Sequence, residues 1–182
     1  LKQYTRIAFN SNNWKMPSGK DGKSNLKCFE ADYHFGFEEW LFDESTLING
    51  MKYAFLQGVA KSTKLRNFPK ELILYTLNKH TKECLHIATL KKWEYFEDVN
   101  YTVQNEFDAK GWIKQMRKQV QAVKGDVKMF NTVVANKGKF KQYEPLFNVR
   151  FEFKDLHILP QPKVFPKGHK IYKLNRYRIY EF

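Results

Sequence analysis

"ELILYTLNKHTKECLHIATL", Glu71–Leu90, is the stretch on which the fold turns. Two apolar runs rich in Leu, Ile and Thr flank the polar turn "KHTKE". Each run has strand length, and β-branched and aromatic residues favour a pleated, half-buried surface, so the segment reads as a hairpin. The second run continues through "KKWEYF", Lys91–Phe96. Upstream, "MKYAFLQGV", Met51–Val59, reads as a strand entered from Asn49-Gly50, a dipeptide suited to tight hairpin turns. "TRIAFN", Thr5–Asn10, reads as the first strand. Downstream, Phe147, Val149, Phe151 and Phe153 alternate onto one face, and the last strand puts Tyr177, Ile179 and Glu181 on one side.

Two segments break the β pattern. "LKCFEADYHFGFEEWLF", Leu26–Phe42, predicts a short helix near Cys28–Phe35, ended by Gly36, and a short strand around Trp40. Asp108 can cap a helix over Ala109–Val123, whose apolar side is Trp112, Met116, Val120 and Val123. Lys110, Lys114, Arg117, Lys118 and Gln121 fall elsewhere on it, on a solvated or a DNA-contacting face. The expected class is mostly β (α+β), an open pseudobarrel of about seven strands with one or two helices.

The 182 residues suit a single domain, 1–182, with a real core. A leucine at the start and a strand at the end suggest an excised piece of a longer chain. Cys28 and Cys84 are too few for a disulfide framework or a four-cysteine zinc site and read as small buried hydrophobes. No apolar run is long enough to span a bilayer, so the expectation is a cytoplasmic protein without a membrane partner.

The formal net charge is +13, from 32 Lys and Arg against 19 Asp and Glu. It is segregated. Residues 30 to 44 carry Glu30, Asp32, Glu38, Glu39, Asp43 and Glu44 and no cation, whereas "KSTKLRNFPK", Lys61–Lys70, and the segment 163–178 carry cations and no acid. A one-sided basic face is the electrostatic footprint of a nucleic-acid binder.

Candidates for catalysis are thin. Glu152-Phe153-Lys154 matches the Glu-x-Lys element of metal-dependent nucleases, but that chemistry needs a further acid, for which Asp126 is a loose candidate. With Phe151 and Phe153 facing the core, Glu152 and Lys154 face water. None of the five histidines pairs with another ligand at a strong metal-binding spacing. The expectation is a non-enzymatic chain with no cofactor and no metal.

The polar loop "NSNNWKMPSGKDGKS", Asn10–Ser24, ends in Gly-Lys-Ser, as a P-loop does. The P-loop reading fails because Pro17, which has no N–H, stands where the first glycine belongs. Together with Lys61–Asn67 the loop suits DNA instead: Lys and Arg offset phosphate charge, and Asn, Lys and Arg pair with base edges. The candidate contacts are Asn10, Ser11, Asn12, Asn13, Trp14, Lys15, Ser18, Lys20, Asp21, Lys23 and Ser24 in the first arm, and Lys61, Ser62, Thr63, Lys64, Arg66 and Asn67 in the second. Lys20 and Lys23 flank turn glycines and are expected at phosphates; Arg66 has the planar fork for a guanine. Trp14 has two readings, stacking on a base or plugging the loop onto the core.

On "FNSNNWKMPSGKDGKS", "GFEEWLF", "MKYAFLQGV" and "NRYRIY" the chain resembles B-three-type pseudobarrel DNA-recognition domains of prokaryotic restriction proteins. It is most similar to N-terminal domains of McrB-like restriction subunits of the LlaJI type. The resemblance implies two arms gripping the major groove of a specific duplex site, as the target-recognition module of a restriction system. A McrC-like nuclease would be a partner of the rest of the natural chain. The segment Val99–Tyr143 exceeds what a compact pseudobarrel needs and is expected to hold a helical insertion. Two alternatives stand beside this reading. One is a PUA-like domain that flips a modified base into a pocket lined by Trp14, Trp40 or Trp93; the other is a nuclease using Glu152 and Lys154.

Overall fold

In a computed structural model, residues 1–23, 27–136, 146–174 and 178–182 are described. Ser24 and Tyr177 therefore lie outside the described residues. The chain is mixed α+β, with two open sheets sharing one core.

The hairpin forms as the sequence indicates: β4 (Leu72–Asn78) and β5 (Glu83–Leu90) pair antiparallel across the polar turn, with a register shift after Leu74. Around them lies a five-stranded sheet in the order β8 (Leu156–Val164), β5, β4, β1 (Gln3–Arg6), β9 (Ile179–Glu181). The pairing of β1 with β4 is parallel, which requires a long crossover. A four-stranded sheet runs β2 (Leu47–Ile48), β3 (Met51–Ala54), β7 (Val149–Glu152), β6 (Glu94–Tyr95). Asn49 and Gly50 both take positive φ, as the tight β2–β3 turn demands.

Alternation sorts the side chains into layers. Leu72 and Leu74 of β4, Ile87, Ala88 and Leu90 of β5, Ala54 of β3, and Val149 and Phe151 of β7 meet in one cluster between the sheets. Tyr75 and Cys84 face the other side of the five-stranded sheet and pack with Ile171, Phe165 and Tyr172. Cys84 is buried as expected, but Cys28 is half-exposed.

Lys52 of β3 breaks the apolar pattern of the core face. It is paired with Phe151 and fully buried, and its ammonium donates to the Asp43 carbonyl at 2.6 Å and to Thr46 Oγ1 at 2.7 Å. Burial pulls its pKa down to about 8, against a smaller opposing pull from Asp43.

Several expectations need correction. The first strand is Gln3–Arg6 rather than Thr5–Asn10. Trp40 ends a 3₁₀ turn, Phe37–Trp40, not a strand, because the segment's own N–H groups close short-range bonds, Glu39 N to the Gly36 carbonyl and Leu41 N to the Glu38 carbonyl, while Glu38 and Glu39 turn inward to accept from Ala8, Gln57 and Gly36 N–H groups. The predicted Cys28–Phe35 helix is the shorter α1 (Phe29–Tyr33), closed by His34 in the left-handed region. Met51–Val59 is strand to Ala54, and then α2 (Gln57–Ala60) begins; α3 (Thr63–Arg66) follows.

Asp108 does not cap the long helix. It sits in the last turn of α4 (Thr102–Ala109), and α5 (Trp112–Ala122) starts anew after Gly111, whose φ of +75° breaks the helix. With α6 (Val127–Asn136) these form the helical insertion. Val103, Phe107, Ile113, Met116, Val120, Phe130 and Val133 pack it against Phe35, Trp40 and Phe147. No helix among the described residues is long and apolar enough to cross a membrane.

Candidate nucleic-acid interface

The first arm, described from Asn10 to Lys23, is built around a buried carboxylate. Glu39 Oε1 accepts from Asn10 Nδ2 at 2.8 Å, from Ser18 N at 3.1 Å and Oγ at 3.3 Å, and from Lys23 Nζ at 2.7 Å. Its Oε2 accepts from Gly36 N at 2.8 Å. The side chains of Lys23 and Glu39 are 2% and 0% exposed, so the pair lies inside the protein. Asn10 Oδ1 accepts from the N–H groups of Asn12 and Trp14, and Asn12 Nδ2 donates to the Pro17 carbonyl. This web holds Asn13 and Trp14 at φ +54°, a conformation that non-glycine residues adopt at a cost.

The arm's residues therefore divide. Asn10, Trp14 and the Lys23 ammonium are buried; Asn12 and Ser18 are half-buried and engaged with the loop itself. Lys23, expected at a phosphate, is instead the counter-ion of Glu39. Trp14 follows its structural reading: its indole N–H donates to the Ala8 carbonyl at 2.9 Å and its ring packs on Phe42. Ser11, Asn13, Lys15, Lys20 and Asp21 are exposed, with Asp21 engaged by His80 and Ser11. Those two hydrogen bonds hold the Asp21 carboxyl below its ordinary pKa.

The second arm is two helical turns laid along β1. Glu38 joins it to the first arm, accepting from Ala8 N and from Gln57 N, both at 2.9 Å. Gly58 packs so closely on Thr5 that a Cβ would fall 2.0 Å from its hydroxyl. Farther down β1, Gln3 Nε2 donates to the carbonyls of Leu65 and Phe68, and its Oε1 accepts from Lys70 N. The segment thus runs antiparallel to β1 with a fixed backbone. Lys61, Thr63, Lys64 and Asn67 are exposed; Ser62 and Arg66 are half-buried. Arg66 stacks on the Tyr95 ring, guanidinium carbon 3.9 Å from its centroid. Burial and a hydrogen bond to Glu97 raise the Tyr95 phenol to about 12, so the ring beneath Arg66 stays neutral.

Two residues of this surface were missed in the sequence. Arg178 is exposed, its backbone lies close to Gly58, and the next residue's N–H donates to Ser62 Oγ at 2.7 Å, which seats Arg178 against the second arm. Phe68 is 69% exposed although its backbone is pinned by Gln3 and followed by Pro69. Residues 165–174 of the basic C-terminal segment do not join them. They pack through Phe165, Ile171 and Tyr172 on the face of the sheet occupied by Tyr4 and Tyr75, opposite Gln3 and Thr5.

Burial also redistributes charge. Glu30, Glu38, Glu39 and Asp98 are buried, against the cationic heads of Lys23 and Lys52, so the described surface is more basic than composition implies. Glu152 and Lys154 are exposed and paired with each other. Among the described residues, no group of three or more His, Cys, Asp or Glu side chains is placed to hold a metal. Trp14, Trp40 and Trp93 are buried, their indole N–H groups bonded to the Ala8 carbonyl, Gln119 Oε1 and the Lys70 carbonyl, so they line no open aromatic pocket. A cleft of about 360 Å³ among α4, α5 and α6 is lined by polar and aliphatic side chains, Gln104, Asp108, Arg117 and Asn131 among them, and no aromatic. No protein-family model, no curated protein and no solved structure matches this chain.

Proposed function

We propose that this chain is a non-catalytic reader of double-stranded DNA that serves as the target-recognition module of a restriction system. The observation that carries the reading is the sorting of charge. Within the 30–44 block Glu30, Glu38 and Glu39 are buried, the last two holding backbone N–H groups and Lys23, and Asp32 and Glu44 remain exposed, while Lys15, Lys20, Lys61, Lys64 and Arg178 stand in water on segments whose backbones are fixed. A rigid cationic surface with few competing acids suits the phosphate backbone.

In this reading Lys20, Lys61, Lys64 and Arg178 meet phosphates. Asn13, Lys15, Asn67 and Arg66, its plane set by Tyr95, read base edges, and Phe68 contacts a base or sugar. The buried residues Asn10, Trp14, Ser18 and Lys23 shape the first arm rather than touch the duplex. On this reading the two open sheets around one core correspond to an opened pseudobarrel. Motor and nuclease functions, including a McrC-like partner, belong to other parts of the system, in the cytoplasm.

The test is a binding titration against a duplex selected from a random pool, repeated across salt. Five or six phosphate contacts lower affinity about a thousandfold between roughly 50 and 200 mM salt. Absence of retardation at low salt, or a flat salt response, refutes the reading. Plasmid incubated with magnesium or manganese should stay intact; cleavage that Glu152→Ala abolishes would favour the nuclease.

A further inference from the structure

The tip of the first arm does not hang in solvent. Gly19, at φ +69°, lies against the end of α5, where a Cβ would come within 2.8 Å of the Val123 carbonyl oxygen. Lys20 and Lys124 are the next residues on the two sides of this contact, and both are exposed. Along α5, Lys114, Lys118 and Gln121 follow at helical spacing and are all exposed, opposite buried Ile113, Met116 and Val120. From Lys110 to Lys124 the chain holds five cations and no acid.

Of the nearby acids, Glu106 pairs with Lys110 at 3.7 Å, Asp126 accepts from Met129 N at 2.8 Å at the start of α6, Asp21 is held by Ser11 and His80, and Asp108 lines the α4–α6 cleft with Arg117. Arg117 is also occupied, donating to Asn131 Oδ1 at 2.6 Å. Lys114 and Lys118 are like charges one turn apart, an arrangement that mildly destabilises a helix and that an anionic partner would offset.

We infer that Lys20, Lys124, Lys118 and Lys114 form one strip that continues the first arm's contact onto duplex phosphates outside the recognised site. The inference rests on the DNA-binding reading and extends it from the arms to the helical insertion. From Lys114 to its end at Ala122 the helix runs about 12 Å along its axis, and Lys124 follows just beyond that end. That length matches on the order of four base pairs along one strand of a duplex. The strip faces phosphates and carries no base-reading geometry, so it adds affinity without sequence preference.

The test compares the parent with K114Q/K118Q/K124Q, since Gln removes charge at all three and keeps helix propensity at 114 and 118. Each binds the selected site in a short duplex that ends at the site and in one extended by about ten base pairs on either side. The parent should show a salt slope steeper by about three on the long duplex. The variant should lose that difference and keep both its specific-to-random ratio and its melting temperature. A parent that binds DNA but whose variant retains the full slope on the long duplex overturns the strip alone. A parent that binds neither duplex removes the DNA reading and the strip with it.

Discussion

Replacing Glu39 with Gln tests the architecture of the first arm at its centre. The two side chains have nearly the same shape, so the volume filled at this buried position is preserved. The electrostatics are not. Glu39 accepts five hydrogen bonds through two oxygens. An amide offers one oxygen, and its NH₂ would face a donor wherever it points. The Lys23 ammonium, 2% exposed, would lose its counter-ion without gaining water. Removing one partner of a buried ion pair costs about 3–5 kcal/mol. At a urea m-value of about 2 kcal/mol/M the midpoint should fall by about 2 M.

Tryptophan fluorescence in urea measures it, and K23M with the double variant closes a cycle. The double variant should recover part of the loss, because an apolar side chain there needs no counter-ion. A loss below about 1 kcal/mol, the value of a surface pair, or full additivity with K23M, refutes the buried-pair account. The same account predicts that Lys23→Ala weakens DNA binding by loosening the arm and leaves the salt slope unchanged, whereas Lys20→Ala lowers the slope by about one.

Lys52 gives a pH signature. Its folded pKa of about 8 lies below the ordinary 10.5, so between those values the unfolded chain binds the extra proton and stability rises with pH. The stability of the parent relative to Lys52→Met should therefore grow by about 2–3 kcal/mol from roughly pH 7 to pH 10; a pH-independent gap in urea midpoints would show that the lysine is not desolvated. Phe68→Ala should weaken duplex binding several-fold with an unchanged salt slope and unchanged melting temperature, because the ring is exposed in the free protein and its contribution is not ionic. An equal affinity on the selected site removes Phe68 from the interface.

The hairpin at Glu71–Leu90 and the Asn49-Gly50 turn were legible because each is decided locally, by side-chain alternation and by residues that tolerate positive φ. Trp40 was misread because what fixes it is not local: Glu38 and Glu39 look like ordinary surface acids until the chain brings Ala8, Asn10, Gln57 and Lys23 around them. Polar type suggested that Asn10 and Lys23 face solvent; only the partner 29 or 16 residues away decides otherwise. At Asp108 a good capping residue was outweighed by Gly111, which ends one helix and starts the next. Arg178 could not be assigned to the second arm from sequence, since Ser62 lies more than a hundred residues away.

The placement of β1 has a bearing on how the chain is made. Gln3 sits opposite Glu181, Tyr4 stacks on Phe182 at 4.4 Å, and Phe182 N donates to the Lys2 carbonyl. Of the described strands, the first to be synthesised is thus an interior one whose outer neighbour is the last of them. At synthesis rates of roughly 5–20 residues per second, β1 waits on the order of ten to thirty seconds for β9. During that interval its outer N–H and C=O groups form an open edge able to recruit another nascent chain. The three residues of β9 therefore act as a closing latch. Any segment joined before residue 1 or after residue 182 emerges beside that latch, so its bulk or its pull would be felt first at the β1–β9 seam.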